Sequence, residues 1–386
     1  MNNFLGGIGI VEMTLPRAVM IVLALFLAYL SIAKKNEPLL LLPLAFGILI
    51  ANIPIAGLDA YFIFEDGRRG LMNFLYQGIV GVIYPPLIFL CIGSMTDFGP
   101  LISSPKSALI GLGGQLGIFV AFGCSLLFGN LLAPVIPGFE GFTLSEAAAI
   151  GIIGSSDGPT SIYTATRLAP EILSSVAIAA FSYMALVPFI QPPIMRLLTT
   201  DKERVVVMPV PKKVTKRQKI IFPIAVTLIT LLLVPAAGAL VAMLMLGNLI
   251  KESGVTERYI RSLQNDVLNM LTLLVALSIG SSATADRFLT PKTLIIVASG
   301  LIAFVFGTVG GILIAKLLCA LTGGKVNPLI GNSGVSAMPM AARISQRLGQ
   351  QYNNQNHLLM HAMGPIVSST ICSAVIAGIF IAVLSR

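Results

Sequence analysis

The stretch GIIGSSDGPTSIY, residues 151–163, sets one carboxylate, Asp157, among small and apolar residues, directly before Gly158 and Pro159. A charge at the centre of a bilayer costs at least about 2.5–3.5 kcal/mol, so an acid in such a setting is a functional candidate. Asp157 also reads as a helix N-cap with proline in the first turn behind it, and the two readings are compatible. Ser155, Ser156, Thr160 and Ser161 add hydroxyls around it. Hard oxygen donors of this kind suit a small cation. A lone carboxylate among them can also exchange that cation for a proton. A second stretch, NPLIGNSGVSAMPMAAR (327–343), carries Asn327, Ser333, Ser336 and Arg343. Its amide and hydroxyl oxygens again suit a hard cation. The guanidinium of Arg343 is a planar fork fitted to a carboxylate, or else an interfacial charge at the end of a span. Tyr183 lies in the middle of AAFSYMALVPFIQPPIM, where its hydroxyl needs a partner; core packing with one hydrogen bond is the plainer reading.

These residues need a membrane to make sense of them. The 386-residue chain is 56% hydrophobic and 11% charged, has no Trp and has a mean hydropathy of +0.91. A soluble domain carries about 25% charged residues, so the composition indicates an all-α polytopic membrane protein. Alternation over segments of about 10 residues, the mark of a membrane barrel, is not seen. Candidate spans fall at 16–33, 38–58, 72–96, 107–137, 172–198, 220–250, 267–282, 292–320 and 357–384. The stretches 107–137 and 220–250 are long for one span and have Pro134 and Pro235 as places to break. The first run lacks a basic n-region and a cleavage site, so it reads as a retained helix rather than a signal peptide. KKNE (34–37) reads as a tight polar turn, and 251–266, with three basic and three acidic residues, as a solvated connection.

Residues 145–167 and 323–347 are too polar for a lipid-facing helix and too apolar for an exposed loop. Irregular backbone at membrane depth survives only where protein buries it or a cavity wets it. Both therefore read as broken helices or re-entrant hairpins. They share a layout: Gly154 precedes Pro188 by 34 residues, and Gly331 precedes Pro365 by 34. Over that window only Gly154, Ser156, Ala165, Ala185 and Pro188 match their partners. Paired interrupted segments in two halves are the sequence pattern of inverted-type repeats around a transporter's binding site. The resulting organisation is 1–145, N-terminal helices; 146–200, first broken motif and following span; 201–219, a basic linker; 220–322, second-half helices; and 323–386, second broken motif and C-terminal span.

Much of the net charge of +9 sits in DKERVVVMPVPKKVTKRQK (201–219), with seven basic and two acidic residues. Such a loop stays in the cytoplasm, and it could also dock a cytoplasmic partner or anionic lipid. No folded module surrounds it, so nucleic-acid binding is not indicated. The four cysteines lie in apolar runs without a C-x-x-C pair, which indicates neither disulfides nor zinc. His357 and His361 read as helix-end residues, and Glu146 and Asp286 as solvated or capping acids. No phosphate-binding loop or H-E-x-x-H occurs, so any pumping draws on an ion gradient or on a reaction fed by another subunit.

GSSDGPTSIY, SYMALVPFIQPPIM, NPLIGNSGVSAMPMAAR and NHLLMHAMGP together resemble the β subunit of the sodium-pumping biotin-dependent decarboxylases of oxaloacetate, methylmalonyl-CoA and glutaconyl-CoA. The resemblance runs through most of the chain and is sharpest over 150–196 and 326–378. It implies a cell (inner) membrane subunit that takes carboxybiotin from a separate biotinylated carrier protein, consumes a proton, releases CO2 and exports Na+. It implies a catalytic Asp157, Tyr183 and Arg343, with carboxybiotin held by Arg343 and Asn327. Na+ would be held by Asp157, Ser336 and Asn327, with the Gly331 backbone and Tyr183 as further candidates. It also implies a trimer of β subunits, a small γ or δ membrane subunit, a carboxyltransferase α subunit, and an elevator-like core moving against a scaffold. The competing reading is a stand-alone Na+/H+ antiporter or Na+-coupled solute transporter. A non-catalytic scaffold for a soluble carboxyltransferase would leave Asp157 without a reason.

Overall fold

The computed structural model describes residue 9 and residues 11–35, 37–137, 139–209 and 213–385. Asn36 of the KKNE turn, residues 210–212 of the basic linker, Gly138, and residues 1–8, 10 and 386 at the two ends lie outside the described residues. The chain is helical almost throughout, and the β pairing among the described residues is one isolated bridge, Ile63 with Arg69. Helices α1 (Leu15–Lys34) and α2 (Pro38–Ala51) are followed by α3 (Leu71–Val80) and α4 (Tyr84–Met95). Next come α5 (Pro105–Leu132), α6 (Leu144–Ile152), α7 (Gly158–Leu168) and α8 (Leu173–Leu198). After the linker follow α9 (Lys216–Leu233), α10 (Pro235–Ser253), α11 (Glu257–Ser282) and α12 (Pro291–Leu321). A 3-10 segment, Pro328–Gly334, leads to α13 (Met340–Tyr352) and α14 (Leu359–Leu384). Among the described residues, six helices are long and apolar enough to cross a membrane, and up to eight spans result if each of two bent pairs is one span.

Four boundaries differ from the sequence reading, and the first is the span expected at 38–58, which ends at Ala51 as the 14-residue helix α2. The span expected at 72–96 turns through 66° between α3 and α4. Val82 adopts a left-handed conformation (φ 58°), and Pro85 and Pro86 follow with no N–H to continue a helix. The span at 172–198 bends by 61° about residue 185, three residues before Pro188. Proline there removes one intrahelical donor and crowds the carbonyl of residue 184. The connection expected at 251–266 shrinks to a turn around Gly254, because α11 starts at Glu257. Proline 235 does break the long stretch 220–250, as expected: α9 ends at Leu233 and α10 begins at Pro235. The other long stretch stays one helix to Leu132 and ends just before Pro134.

Several helix pairs approach backbone to backbone, α2–α11 and α4–α10 among them. A Cβ on Gly280 of α11 would stand 2.2 Å from the Leu44 carbonyl of α2, and one on Gly247 of α10 would stand 2.0 Å from the Leu90 carbonyl of α4. Small residues at such crossings are how membrane helices gain packing without a hydrophobic driving force. Separately, α12 runs through the middle of the site region, packing on α5, α8 and the Pro328–Gly334 segment.

Glu146 is a capping acid, as read, but it is buried rather than solvated. Its carboxylate accepts the Thr143 N–H (2.8 Å) at the start of α6 and pairs with Lys292 of α12 at 2.7 Å. Lys292→Met strands that carboxylate, and a thermal melt in detergent is expected to show a loss of about 1–3 kcal/mol. Adding Glu146→Gln is expected to recover most of it. A single variant as stable as the parent contradicts this role for the pair.

Candidate functional site

The first break is built by local rules. A Thr143/Glu146 capping box starts α6, which tightens into a 3-10 turn over Ile153–Ser155. Ser156 is left-handed (φ 56°), and that reversal ends the first helical arm. Asp157 then caps α7, its Oδ1 accepting the Thr160 N–H at 3.3 Å, with Pro159 in the first turn. The second break leaves α12, passes Asn327, winds through Pro328–Gly334 and runs extended at Val335 before α13.

The two breaks meet. The Ser336 N–H donates to the Ser155 carbonyl at 2.8 Å. The Ser336 hydroxyl reaches Ser369 of α14 at 3.1 Å, and the Gln115 amide of α5 donates to the same Ser369 oxygen at 2.9 Å. One turn further along α14, the Ser373 hydroxyl donates to Asp157 Oδ2 at 3.0 Å. Asp157 is 5% exposed and has no described ion-pair partner. Ser156 Oγ and Thr160 Oγ1, which flank Asp157 in the chain, and Gln115 Oε1, whose amide nitrogen reaches Ser369, are buried without a hydrogen-bond partner among the described residues. Unsatisfied buried oxygens beside one carboxylate are donors lacking an acceptor of their lone pairs, which a hard cation or its water supplies. No group of three His, Cys, Asp or Glu side chains able to hold a metal occurs among the described residues.

Asp157 and Ser336 are thus brought into one neighbourhood, and the four other candidates make different contacts. The Asn327 side chain caps its own turn through the Leu329 N–H (3.0 Å) and donates to the carbonyls of Arg204 and Val206 in the linker. The Tyr183 hydroxyl donates to the Val297 carbonyl of α12, and its ring covers Gly300. Arg343 is exposed on α13 beside Gln346, Arg347 and Gln350. Gly331 holds the second break against α12, since a Cβ there would stand 2.4 Å from the Ile312 Cα.

Several residues escaped the sequence reading. Gln115, Ser369 and Ser373 form the α5–α14 side of the site. The signal available was an amide inside an apolar span and two serines four residues apart on one helical face. Gln191 of α8 and Asn332 exchange hydrogen bonds at 2.9 and 3.0 Å, both fully buried, and bind the second break to the bent helix. Arg204, counted only as part of a basic linker, is 8% exposed. Its guanidinium pairs with Asp201, reaches the Arg196 and Thr199 carbonyls and lies over the Tyr352 ring.

A multi-pass helical bundle in which two interrupted segments converge on one buried carboxylate is the architecture of a membrane ion translocator. The chain belongs to the family of the Na+-transporting oxaloacetate decarboxylase beta subunit, whose model matches residues 16–384. It is 50% identical over 378 residues to the methylmalonyl-CoA decarboxylase subunit beta of Veillonella parvula, covering 98% of this chain and 96% of that one. It is 48% identical to the glutaconyl-CoA decarboxylase subunit beta of Acidaminococcus fermentans (97% and 95% covered) and 42% identical to the oxaloacetate decarboxylase beta chain of Klebsiella pneumoniae (99% and 98%). The protein is therefore a multi-pass cell-membrane beta subunit of a Na+-transporting decarboxylase, and a stand-alone antiporter or symporter is not favoured.

Proposed function

We propose that this subunit decarboxylates carboxybiotin presented by a separate biotinylated carrier and couples each turnover to Na+ export. In that reaction the bond between the carboxyl carbon and the ureido nitrogen breaks, its electron pair stays on nitrogen, nitrogen takes up one proton, and CO2 leaves. Asp157 holds Na+ in one half of the cycle and a proton in the other. The observation that carries this is the junction of the two breaks through Ser336 and Ser155, two residues from Asp157, with the unpartnered oxygens of Ser156 and Thr160 flanking that carboxylate in the chain. Ser336 contributes its hydroxyl from the second break. Arg343, exposed and without an acid at ion-pair distance among the described residues, meets the carboxylate of the incoming carrier. A proton relay through Tyr183 requires its bond to Val297 to open during the cycle. The matching layouts of the two breaks support inverted repeats, and the Gly-mediated pairs α2–α11 and α4–α10 support a scaffold against which the core of α5, α12, α14 and both breaks moves. The working assembly in this reading is a trimer with a small γ or δ subunit and a carboxyltransferase.

The test uses purified complex in sealed vesicles, given free carboxybiotin, with CO2 release and Na+ uptake followed together. Decarboxylation that rises with Na+ and drives its accumulation is the expected result. Na+ movement with no carboxybiotin requirement would overturn the reading.

A further inference from the structure

A cavity of about 300 Å3 opens between the α4–α5 connection, the end of α12, the start of α14 and the linker. Met208 and Pro209 of the linker form part of its wall, so it faces the side on which that Lys- and Arg-rich segment lies, the cytoplasm. Its inner wall is apolar, made by Ile110, Leu318, Val326 and Ile330. Two exposed lysines, Lys106 and Lys325, line it, and neither has an acid at ion-pair distance among the described residues. His361 adds an imidazole to the same wall.

From this cavity a row of polar side chains leads inward along the α5–α14 contact. Ser107 lines the cavity and packs on Gly364. Ser368 donates to the Ala108 carbonyl at 3.0 Å, Gln115 to Ser369 at 2.9 Å, and Ser373 to Asp157 at 3.0 Å. The polar groups of an otherwise apolar interface thus join the cavity to the buried carboxylate.

The geometry points to this cavity as the seat of a carboxylated cyclic urea, the head of carboxybiotin, during decarboxylation. This rests on the function proposed above and locates its substrate. The volume lies at the small end of ligand pockets, with room for a fused bicyclic ring and a carboxylate but not for an acyl-CoA. Lys106 and Lys325 attract the anion, and His361 offers an N–H to the urea carbonyl. The apolar wall strips water from the carboxylate, and a carboxylate leaving as neutral CO2 loses less there than one held in solvent. Arg343 lies instead on an open surface with Gln346, Arg347 and Gln350, fitted to meeting the carrier but not to excluding water.

The experiment compares the complex with parent, Lys106→Gln/Lys325→Gln, Ser104→Trp and Arg343→Ala β subunits, all assayed on free carboxybiotin. Ser104 is exposed and lines the cavity, so tryptophan there fills space without entering the core. The double lysine variant is expected to raise KM about tenfold, and Ser104→Trp to remove most turnover. Biotin is expected to protect a Ser104→Cys variant from alkylation, a readout independent of activity. If the parent decarboxylates while the lysine and tryptophan variants keep its KM and biotin gives no protection, the cavity assignment is wrong and the function stands. If the parent itself leaves free carboxybiotin untouched, the function fails first.

Discussion

Replacing Asp157 with asparagine is expected to lower Na+-dependent turnover by about 10²–10⁴-fold, the range seen when a proton-exchanging group is removed, while leaving the subunit folded. The split follows from what each oxygen does. Asparagine keeps an acceptor for the Thr160 N–H and is as good an N-cap as aspartate, so α7 keeps its start. It also removes a charge that is buried and unpaired, which favours the folded state. What it cannot do is neutralise a cation or carry a proton through the cycle. The Ser373 hydroxyl, which now donates to Oδ2, can turn to donate elsewhere at a cost of about 1 kcal/mol. Thermal unfolding should therefore be unchanged or raised, its Na+-dependent increment should vanish, and vesicles should show neither Na+ uptake nor Na+-stimulated CO2 release. A folded Asp157→Asn complex that keeps its sodium dependence would remove Asp157 from the ion path.

Asp157 is legible in the sequence because it is anomalous there: a carboxylate beside two helix breakers in a chain with few charges. The breaks are legible for the same compositional reason, and the proline positions tell where long apolar runs must end. Partners are another matter. Ser373 lies 216 residues from Asp157, and Gln115 lies 254 from Ser369. Nothing in a serine's neighbours states which far carboxylate it will meet, since a hydroxyl satisfied by its own helix reads identically. Asn327 shows the converse difficulty. Its oxygen suits a cation on paper, but a segment entering a 3-10 turn needs a cap, and the nearby linker carbonyls need donors. Local hydrogen-bond demand already engages both ends of its amide. The span corner at 81–83 was hidden because a left-handed valine is a tertiary compromise that propensity argues against.

Gly114→Ala should be the most damaging single-methyl change in the membrane interior. A Cβ at Gly114 of α5 would stand 1.7 Å from the Gly334 carbonyl oxygen and 2.2 Å from its carbon. Ordinary contact begins near 3.4 Å, and the opposing atoms are backbone, so α5 and the second break must part. No rotamer relieves the clash. Gly334 is itself wedged, its own Cβ position lying 2.6 Å from the Ile110 carbonyl and 3.0 Å from the Gly311 Cα of α12. The displacement therefore passes two residues along to Ser336 and pulls on its bond to Ser155, the link between the breaks. Overpacking of this kind costs about 1–3 kcal/mol or more, and here it also opens the ion site. Gly123→Ala on the same helix is the matched control. No described atom lies within 4 Å of its Cβ position, and relief of glycine's backbone freedom should stabilise it by about 0.5–1 kcal/mol. Melting temperature, yield of assembled complex and Na+-stimulated CO2 release should fall together for Gly114→Ala and hold for Gly123→Ala. Were the two alanines to behave alike, close backbone contact at Gly334 would not be what joins the two breaks. Should Gly114→Ala assemble but lose only its sodium response, the contact serves the ion site more than the fold, and the coupling between breaks lies in the Ser336–Ser155 bond itself.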